Sequence, residues 1–359
     1  MQAVAAEARV SLGTVSNYLN QPSRVAPATR DRVQAAIDRL GYIRNAAARD
    51  LKRRGSDGIG LIVPDILNRL FVDIARGAQI TAGHQNLSLL MANAVYAFES
   101  FSPRVTSDQQ DQFLDYFAEE RMRGILYAAM SDPTAGINRI RAHVRPIVVI
   151  NYDRPGDWCS VLVDNQQAGR LGGEHLAEAG FRTVYFLSPP NVAQAISDRR
   201  AGARDAARRL ELQLIEWKVD GLWLDDGRRA IEEIVARTST NERFAVLGVT
   251  DELALGALGA LRMHPQLRVP EDVAVMGLDG THDGKFSDWI SLTSVTVPGN
   301  RMGEEAIRLV LDEAEPRHRH ERMVLPVGVR RGGSTGAAET TILAYPRHSV
   351  QNGSSPLVP

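Results

Sequence analysis

Val10-Ser11-Leu12-Gly13-Thr14-Val15-Ser16-Asn17-Tyr18-Leu19-Asn20 reads as the second helix of a helix-turn-helix and its exit. Val4 and Ala5 precede it on a short apolar helix, and Val10, Val15 and Leu19 recur at the spacing that closes a small two-helix core. Ser11 stands where its side chain caps the second helix by accepting from backbone N–H groups of the first turn. Leu12, Gly13, Thr14, Ser16 and Asn17 are left to face outward, at the end of a helix of the kind that enters a DNA major groove. A short amphipathic helix pair at an N-terminus can also be a solvated cap on a larger domain, so the surrounding charge has to be weighed.

Residues 1–55 carry ten basic side chains against four acidic ones, a net +6 inside a chain whose formal total is −1, which leaves about −7 for the remainder. That asymmetry suits a phosphate-binding headpiece on an acidic body, because Coulomb attraction and counterion release act through the local patch. The alternative is a solvated basic face. Pro27 to Leu40 reads as a third helix, with Pro27 at its first position, no breaker from Ala28 to Arg39, and Gly41 as a left-handed stop. Val33, Ala36, Ile37 and Leu40 form its expected buried stripe. Residues 44–51, Arg-Asn-Ala-Ala-Ala-Arg-Asp-Leu, favour a helix but are too few to hold one alone in water, so they are expected to order only against a partner.

The N-terminus resembles the headpiece of the lactose-repressor (LacI/GalR) family of bacterial transcription regulators. The matching run is Val-Ala-x-x-Ala-x-Val-Ser-x-x-Thr-Val-Ser from Val4 to Ser16, then Leu19-Asn20, Val25, Thr29-Arg30, Gly41-Tyr42, Asn45-Ala46 and Ala48-Arg49-x-Leu51. The resemblance implies that Leu12 and Gly13 discriminate bases, and that Thr14, Ser16, Asn17, Asn20 and Arg24 contact phosphates or bases. It further implies a hinge helix over 45–51 that folds when a dimer meets its operator, with Ala48 and Leu51 as a minor-groove pair whose leucine wedges a base step open. Three departures bear on this. Arg9 stands where the turn usually has glycine, and would strain a positive backbone angle there. Arg44 replaces a proline that precedes the hinge. The family's first helix also begins several residues earlier, with a capping threonine, which implies a truncated or misassigned start.

From Gly58 the pattern changes to apolar strands between amphipathic helices. Ile59–Val63, Leu87–Ala92, Gly124–Ala128 and Ile147–Asn151 read as buried strands, with helical patterns near 71–83, 109–122 and 135–143. Thr183–Leu187, Leu214–Trp217, Phe244–Val249 and Val273–Gly277 form a second series. Two doubly wound parallel sheets are the natural packing solution, with a ligand between them. This part is similar to periplasmic sugar-binding proteins, as the family's body is. The shared motifs include Ile59-Gly60-Leu61-Ile62-Val63-Pro64, Val163-Asp164-Asn165 with Gly169, Arg199 with Gly202, Thr250-Asp251-Glu252, Val269-Pro270-Glu271-Asp272-Val273 and Gly277-Leu278-Asp279. The expected fold is thus an all-α helix-turn-helix headpiece with a hinge helix, then a periplasmic-binding-protein-like α/β core of two parallel-sheet lobes. The expected divisions are headpiece 1–44, hinge and linker 45–57, core 58–335 and a disordered tail 336–359.

A polyol ligand needs carboxylate, amide and guanidinium partners for its hydroxyls and an apolar wall for its C–H face. Asp153, Arg199, Asp251 and Asp279 match family positions supplying such groups, with Asn68, Phe71 and Trp223 as walls. Each also has a plainer reading: Asp153 and Asp279 as caps of helices or turns, Arg199 as a salt bridge between lobes. Thr250, Val297 and Gly299 stand where several members carry amide or aromatic contacts, which implies a different effector from theirs.

Catalysis is not expected. The sequence has no Walker loop, no Gly-x-Ser-x-Gly elbow and no metal-spaced Cys/His set. Cys159 is the single cysteine, read as a buried or idle thiol, and His318 and His320 read as solvated side chains in a charged loop. No cofactor is expected. Without a signal-like start or an apolar run of membrane-spanning length, the chain is expected to be cytoplasmic, with no membrane partner. The expected function is a homodimeric, ligand-responsive repressor of a near-palindromic operator, controlled by a sugar-like effector. Two other classes stand beside it: a solute-binding protein with a non-functional headpiece, and a carbohydrate-active enzyme using paired carboxylates.

Overall fold

The computed structural model describes residues 1–42, 57–94, 103–144, 146–190, 193–237, 242–280, 290–315 and 317–336. The hinge segment with Ala48 and Leu51, and the tail from 337, lie outside the described residues. The chain divides into two compact units, Met1–Ser56 and Asp57–Pro359.

In the first unit, α1 (Gln2–Glu7), α2 (Leu12–Asn20) and α3 (Pro27–Leu40) surround Val4, Ala5, Ala8, Val15, Val33 and Ala36. Ser11 caps α2 by accepting from the Thr14 N–H at 3.0 Å. Gly41 closes α3 with φ 55°, in the left-handed region that costs glycine nothing. Leu40, expected in the buried stripe, is 44% exposed: it falls on the last turn, past the end of the small core. Arg9 has φ 50°, so the glycine-like turn is kept without a glycine. Relieving that conformation by Arg9→Gly is expected to stabilise the headpiece by up to about 1 kcal/mol, read as a higher melting temperature; an unchanged or lower one would show that the turn is unstrained.

Among the described residues, the second unit holds two six-stranded sheets. The first has strands β1 (Gly58–Val63), β2 (Ser88–Asn93), β3 (Gly124–Ala128), β4 (Ile147–Ile150), β5 (Cys159–Val163) and β11 (Arg322–Leu325) in the order β2-β1-β3-β4-β5-β11, all parallel. The second has β6 (Thr183–Ser188), β7 (Gln213–Lys218), β8 (Phe244–Gly248), β9 (Val273–Asp279), β10 (Thr293–Thr296) and β12 (Gly328–Arg330) in the order β7-β6-β8-β9-β10-β12, with only β12 antiparallel. Helices α4 (Arg69–His84), α5 (Pro103–Glu119), α6 (Thr134–Ile140) and α11 (Gly299–Asp312) belong to the first lobe. Helices α7 (Asn165–Glu178), α8 (Gln194–Leu210), α9 (Leu224–Arg237) and α10 (Asp251–Leu261) belong to the second. The chain therefore crosses between lobes three times: after β5, after β10 and after β11.

Central strands such as β1, β3 and β9 are buried along their whole length, as strands covered on both faces must be. Two segments expected as buried strands, at 87–92 and 214–217, are instead the edge strands β2 and β7. Leu90 and Met91 are 40% and 41% exposed, because an edge strand has neighbours on one side only. In each sheet the strand order reverses beside the first strand, β1 or β6. In open parallel sheets the crevice for a ligand lies at that reversal, outside the carboxyl ends of the strands.

Candidate functional site

The cleft of the second unit opens at those strand ends and encloses about 660 Å3, its open mouth included. After β1 come Pro64 and Asp65, after β3 Met130, and after β4 Asn151; from the other lobe come Thr250 and Glu252 after β8, and Asp279 at the end of β9. Phe71 on α4, Ile196 on α8 and Trp223 ahead of α9 supply apolar walls.

Arg199 organises the floor. It sits on α8, and its guanidinium uses nearly every donor: Nε to Asn165 Oδ1 at 3.0 Å, Nη1 to the carbonyls of Val249 and Leu278 at 2.8 Å each, and Nη2 to Asp279 Oδ1 at 2.8 Å. The two carbonyls end β8 and β9, so the side chain is clamped to the sheet that carries its carboxylate partner. Arg199 can sit this deep because α7 and α8 touch through glycines. A Cβ on Gly202 would lie 1.9 Å from the Gln166 carbonyl oxygen, and one on Gly169 would lie 1.9 Å from that of Arg199.

Asp279 is 1% exposed, and its second oxygen, Oδ2, has no hydrogen-bond partner among the described residues. Burial pushes its carboxyl up to about 8 against the pull of Arg199, and the nearby Glu252 and Asp251 push the same way. Asp65 is also raised, first by burial and then by Glu252, although the Leu67 N–H works against it. The cleft thus combines an aromatic and aliphatic lining with carboxyl-rich walls and one guanidinium already committed. Such a surface suits a ligand that presents several hydroxyl groups, which both donate and accept, and an apolar face.

Asn68, Phe71, Arg199, Trp223 and Asp279 all line this cleft. Asn68 is at the same time the cap of α4, accepting from the Leu70 N–H at 2.9 Å. Two of the expected effector residues are elsewhere. Asp251 is fully buried behind the floor, where Oδ1 accepts from the Ser294 hydroxyl. A Cβ on Gly277 would stand 2.3 Å from that same oxygen, so Asp251 packs on bare backbone. Asp153 turns out of the cleft after Asn151, whose φ is 57°, and pairs with Arg322 of β11 through both oxygens at 2.8 and 2.6 Å. The Arg322 guanidinium holds that carboxyl below its ordinary value. Asp153 still serves the cleft through its backbone. Its N–H donates to Gln194 Oε1 at 2.6 Å, and its carbonyl accepts from Gln194 Nε2 at 3.1 Å, tying the first lobe to the start of α8. Val297 and Gly299 are not part of the lining, whereas Thr250 is, and its Oγ1 caps α10. Asp65, Glu252, Asn151 and Met130 are lining residues that the sequence reading missed.

On the headpiece, Leu12, Gly13, Asn17, Asn20 and Arg24 are exposed, and Thr14 and Ser16 are half-buried. Positions 12, 13, 16, 17 and 20 fall on one side of α2, turned away from Val15 in the core, while Tyr18 and Leu19 pack part-buried against it. Thr14 and Asn20 have internal partners: the Thr14 hydroxyl lies 2.9 Å from that of Ser11, and Asn20 Nδ2 donates to the Ser16 carbonyl at 2.8 Å. Leu12, Gly13 and Asn17 are the residues whose side chains or bare backbone stand outward at the amino end of the helix.

Residues 1–45 match the family of bacterial regulatory proteins named for lacI, and residues 174–335 match the periplasmic binding protein-like domain. A repressor of Erwinia tasmaniensis, PurR, is 30% identical over 314 residues, covering 86% of this chain and 88% of its own. The chain belongs to the lacI family. CytR, an HTH-type transcriptional repressor of Escherichia coli K12, is another relative, 28% identical over 321 residues, 89% of this chain and 90% of its own. Among solved structures, the transcriptional regulator CelR in complex with cellobiose superposes with a TM-score of 0.65 at 25% identity, over 93% of this chain and 98% of that one. As a lacI-family member the chain is a DNA-binding regulator of transcription and not an enzyme. Among the described residues no helix is long and apolar enough to cross a membrane.

Proposed function

We propose that the protein is a repressor which, as a dimer, holds a near-palindromic operator through α2 and releases or tightens it when a small hydroxyl-rich effector, a sugar or related polyol, enters the cleft. The observation that carries this reading is the buried Arg199–Asp279 pair, with one carboxyl oxygen left without a hydrogen-bond partner among the described residues, beneath an aromatic-walled cleft. The cellobiose complex of CelR supports the effector class, and the repressor relatives support the sign. Two headpieces are needed because one reads too few bases for useful specificity. Residues 1–44 act as the reader, 45–57 as the hinge and 58–335 as the effector-binding body, all working in the cytoplasm where the operator is. An effector moves the switch only by binding the two lobe arrangements unequally. The contact between Gln194 and the Asp153 backbone, which joins the lobes, is one that such a movement must break or keep.

Selection of the full chain on a random duplex pool tests the reader, followed by titration of the selected complex with sugars, polyols and nucleosides. Enrichment of a palindrome, with affinity shifted by a hydroxylated ligand, is the expected result. No enrichment together with ligand binding would make this a solute-binding protein with an idle headpiece; turnover of the ligand would make it an enzyme. Leu51→Ala is expected to weaken the selected operator while leaving effector binding intact, and equal operator affinity would remove the hinge role from Leu51.

A further inference from the structure

Outside the cleft, the end of α11 and the loop that returns the chain to β11 gather four metal-ligating side chains. Cys159 opens β5, Glu313 directly follows α11, and His318 and His320 lie two apart in the loop. One ligand atom from each lies within 4.8 Å of every other. We propose that Cys159, Glu313, His318 and His320 form a tetrahedral binding site for a divalent transition metal, zinc by preference.

The donor set is the first support. One sulfur, two imidazoles and one carboxylate suit zinc, whose bonds of roughly 2.0–2.3 Å set ligand atoms about 3.3–3.8 Å apart, so a group already within 4.8 Å closes by small side-chain turns. The second support is ring orientation. His318 Nδ1 is 2.9 Å from Asp312 Oδ2, while Nε2 is 3.0 Å from Cys159 Sγ. A carboxylate that takes the proton of one ring nitrogen turns the lone pair of the other towards a metal. His318 is 5% exposed by side chain, so the orientation is fixed by packing and not chosen by solvent.

Glu313 supplies the third and independent support. Its side chain is 7% exposed; the Ile147 and Cys159 N–H groups face its carboxylate, yet Oε2 itself has no hydrogen-bond partner among the described residues. A thiol–imidazole hydrogen bond alone would explain Cys159 and His318, but it leaves this oxygen buried and unsatisfied, which a folded protein rarely tolerates. On binding, the thiol proton leaves to solvent as the sulfur–metal bond forms. The metal would join the start of β5, the end of α11 and the loop into β11, fixing the outer edge of the first sheet.

The test is titration of the chelator-stripped full chain with Co2+, then Zn2+. One Co2+ per chain is expected, with sulfur-to-cobalt charge-transfer absorption in the near ultraviolet, displaced by equimolar Zn2+. Cys159→Ser is expected to abolish that absorption. His320→Ala, at a more exposed ligand, and Asp312→Asn, which touches no metal, are each expected to weaken binding by about 10- to 100-fold. Failure of the stripped chain to take up Co2+ stoichiometrically, or uptake that survives both Cys159→Ser and His320→Ala, overturns the site. Melting of the metal-free variants checks that each is folded.

Discussion

Replacing Arg199 with alanine is expected to destabilise the folded chain by about 3–5 kcal/mol at pH 8 and above, and to abolish the response to effector. The substitution removes the counter-charge of a carboxylate that is 1% exposed, and leaves Asn165 and the carbonyls of Val249 and Leu278 without their donor. Arg199→Lys keeps a charge but not the fork, so it is expected to retain part of the stability and little of the effector response. Urea unfolding beside effector titration separates the two, and an alanine cost below about 1 kcal/mol would place the pair among weak, solvent-screened ones. The same pair predicts a pH dependence. Asp279 holds its proton more tightly folded, near 8, than unfolded, near 3.8, so its contribution is complete in acid and is lost as pH rises through that window. Asp279→Asn is expected to flatten the fall in unfolding free energy between pH 5 and 8. An identical slope in the variant would show that Asp279 titrates alike in both states.

Gly202→Ala should be the next most damaging single change. Its Cβ would lie 1.9 Å from a backbone oxygen of α7, which cannot swing aside as a side chain can. The two helices must part, at a cost of about 1–3 kcal/mol, and the movement carries Arg199 away from acceptors it now meets at 2.8–3.0 Å. We expect a lower melting temperature and effector affinity weakened by at least about tenfold, which corresponds to the loss of one good hydrogen bond to a charged group. Wild-type effector affinity in this variant would show that the floor tolerates a shifted α8.

The parts of the molecule that were legible in the sequence are those fixed by neighbours in the chain. Ser11 as a cap, Gly41 as a stop and the central strands β1, β3 and β8 follow from residues within a few positions of one another. The positive backbone angle at Arg9 was anticipated only because the resemblance marked a glycine there. What was hidden depends on residues distant in sequence. Asp153 resembles a cleft carboxylate until Arg322, 169 residues later, takes both its oxygens. Asp251 and Glu252 share one acidic first turn, where either would suit the helix dipole. Only the fold shows that Glu252 faces the cleft and Asp251 the floor beneath it. The edge strand β11 follows a run of charged residues and offers only Met323, Val324 and Leu325 before Pro326, too short a stretch to mark it, and it is this strand that brings His318 and His320 to Cys159.

The three passages of the chain between lobes fix an order of assembly during synthesis. The headpiece helices are complete by Leu40 and rest on contacts among near neighbours. The first lobe, by contrast, buries Ile59 and Leu61 against Ile307, Val310 and Leu325, so its core waits for nearly the whole chain. At about 5–20 residues per second, that wait is roughly 15 to 60 s. Each new molecule therefore carries a finished reader while its sensor is still an open sheet, and the half-built lobe is the stage at which a growing chain most needs protection from its neighbours.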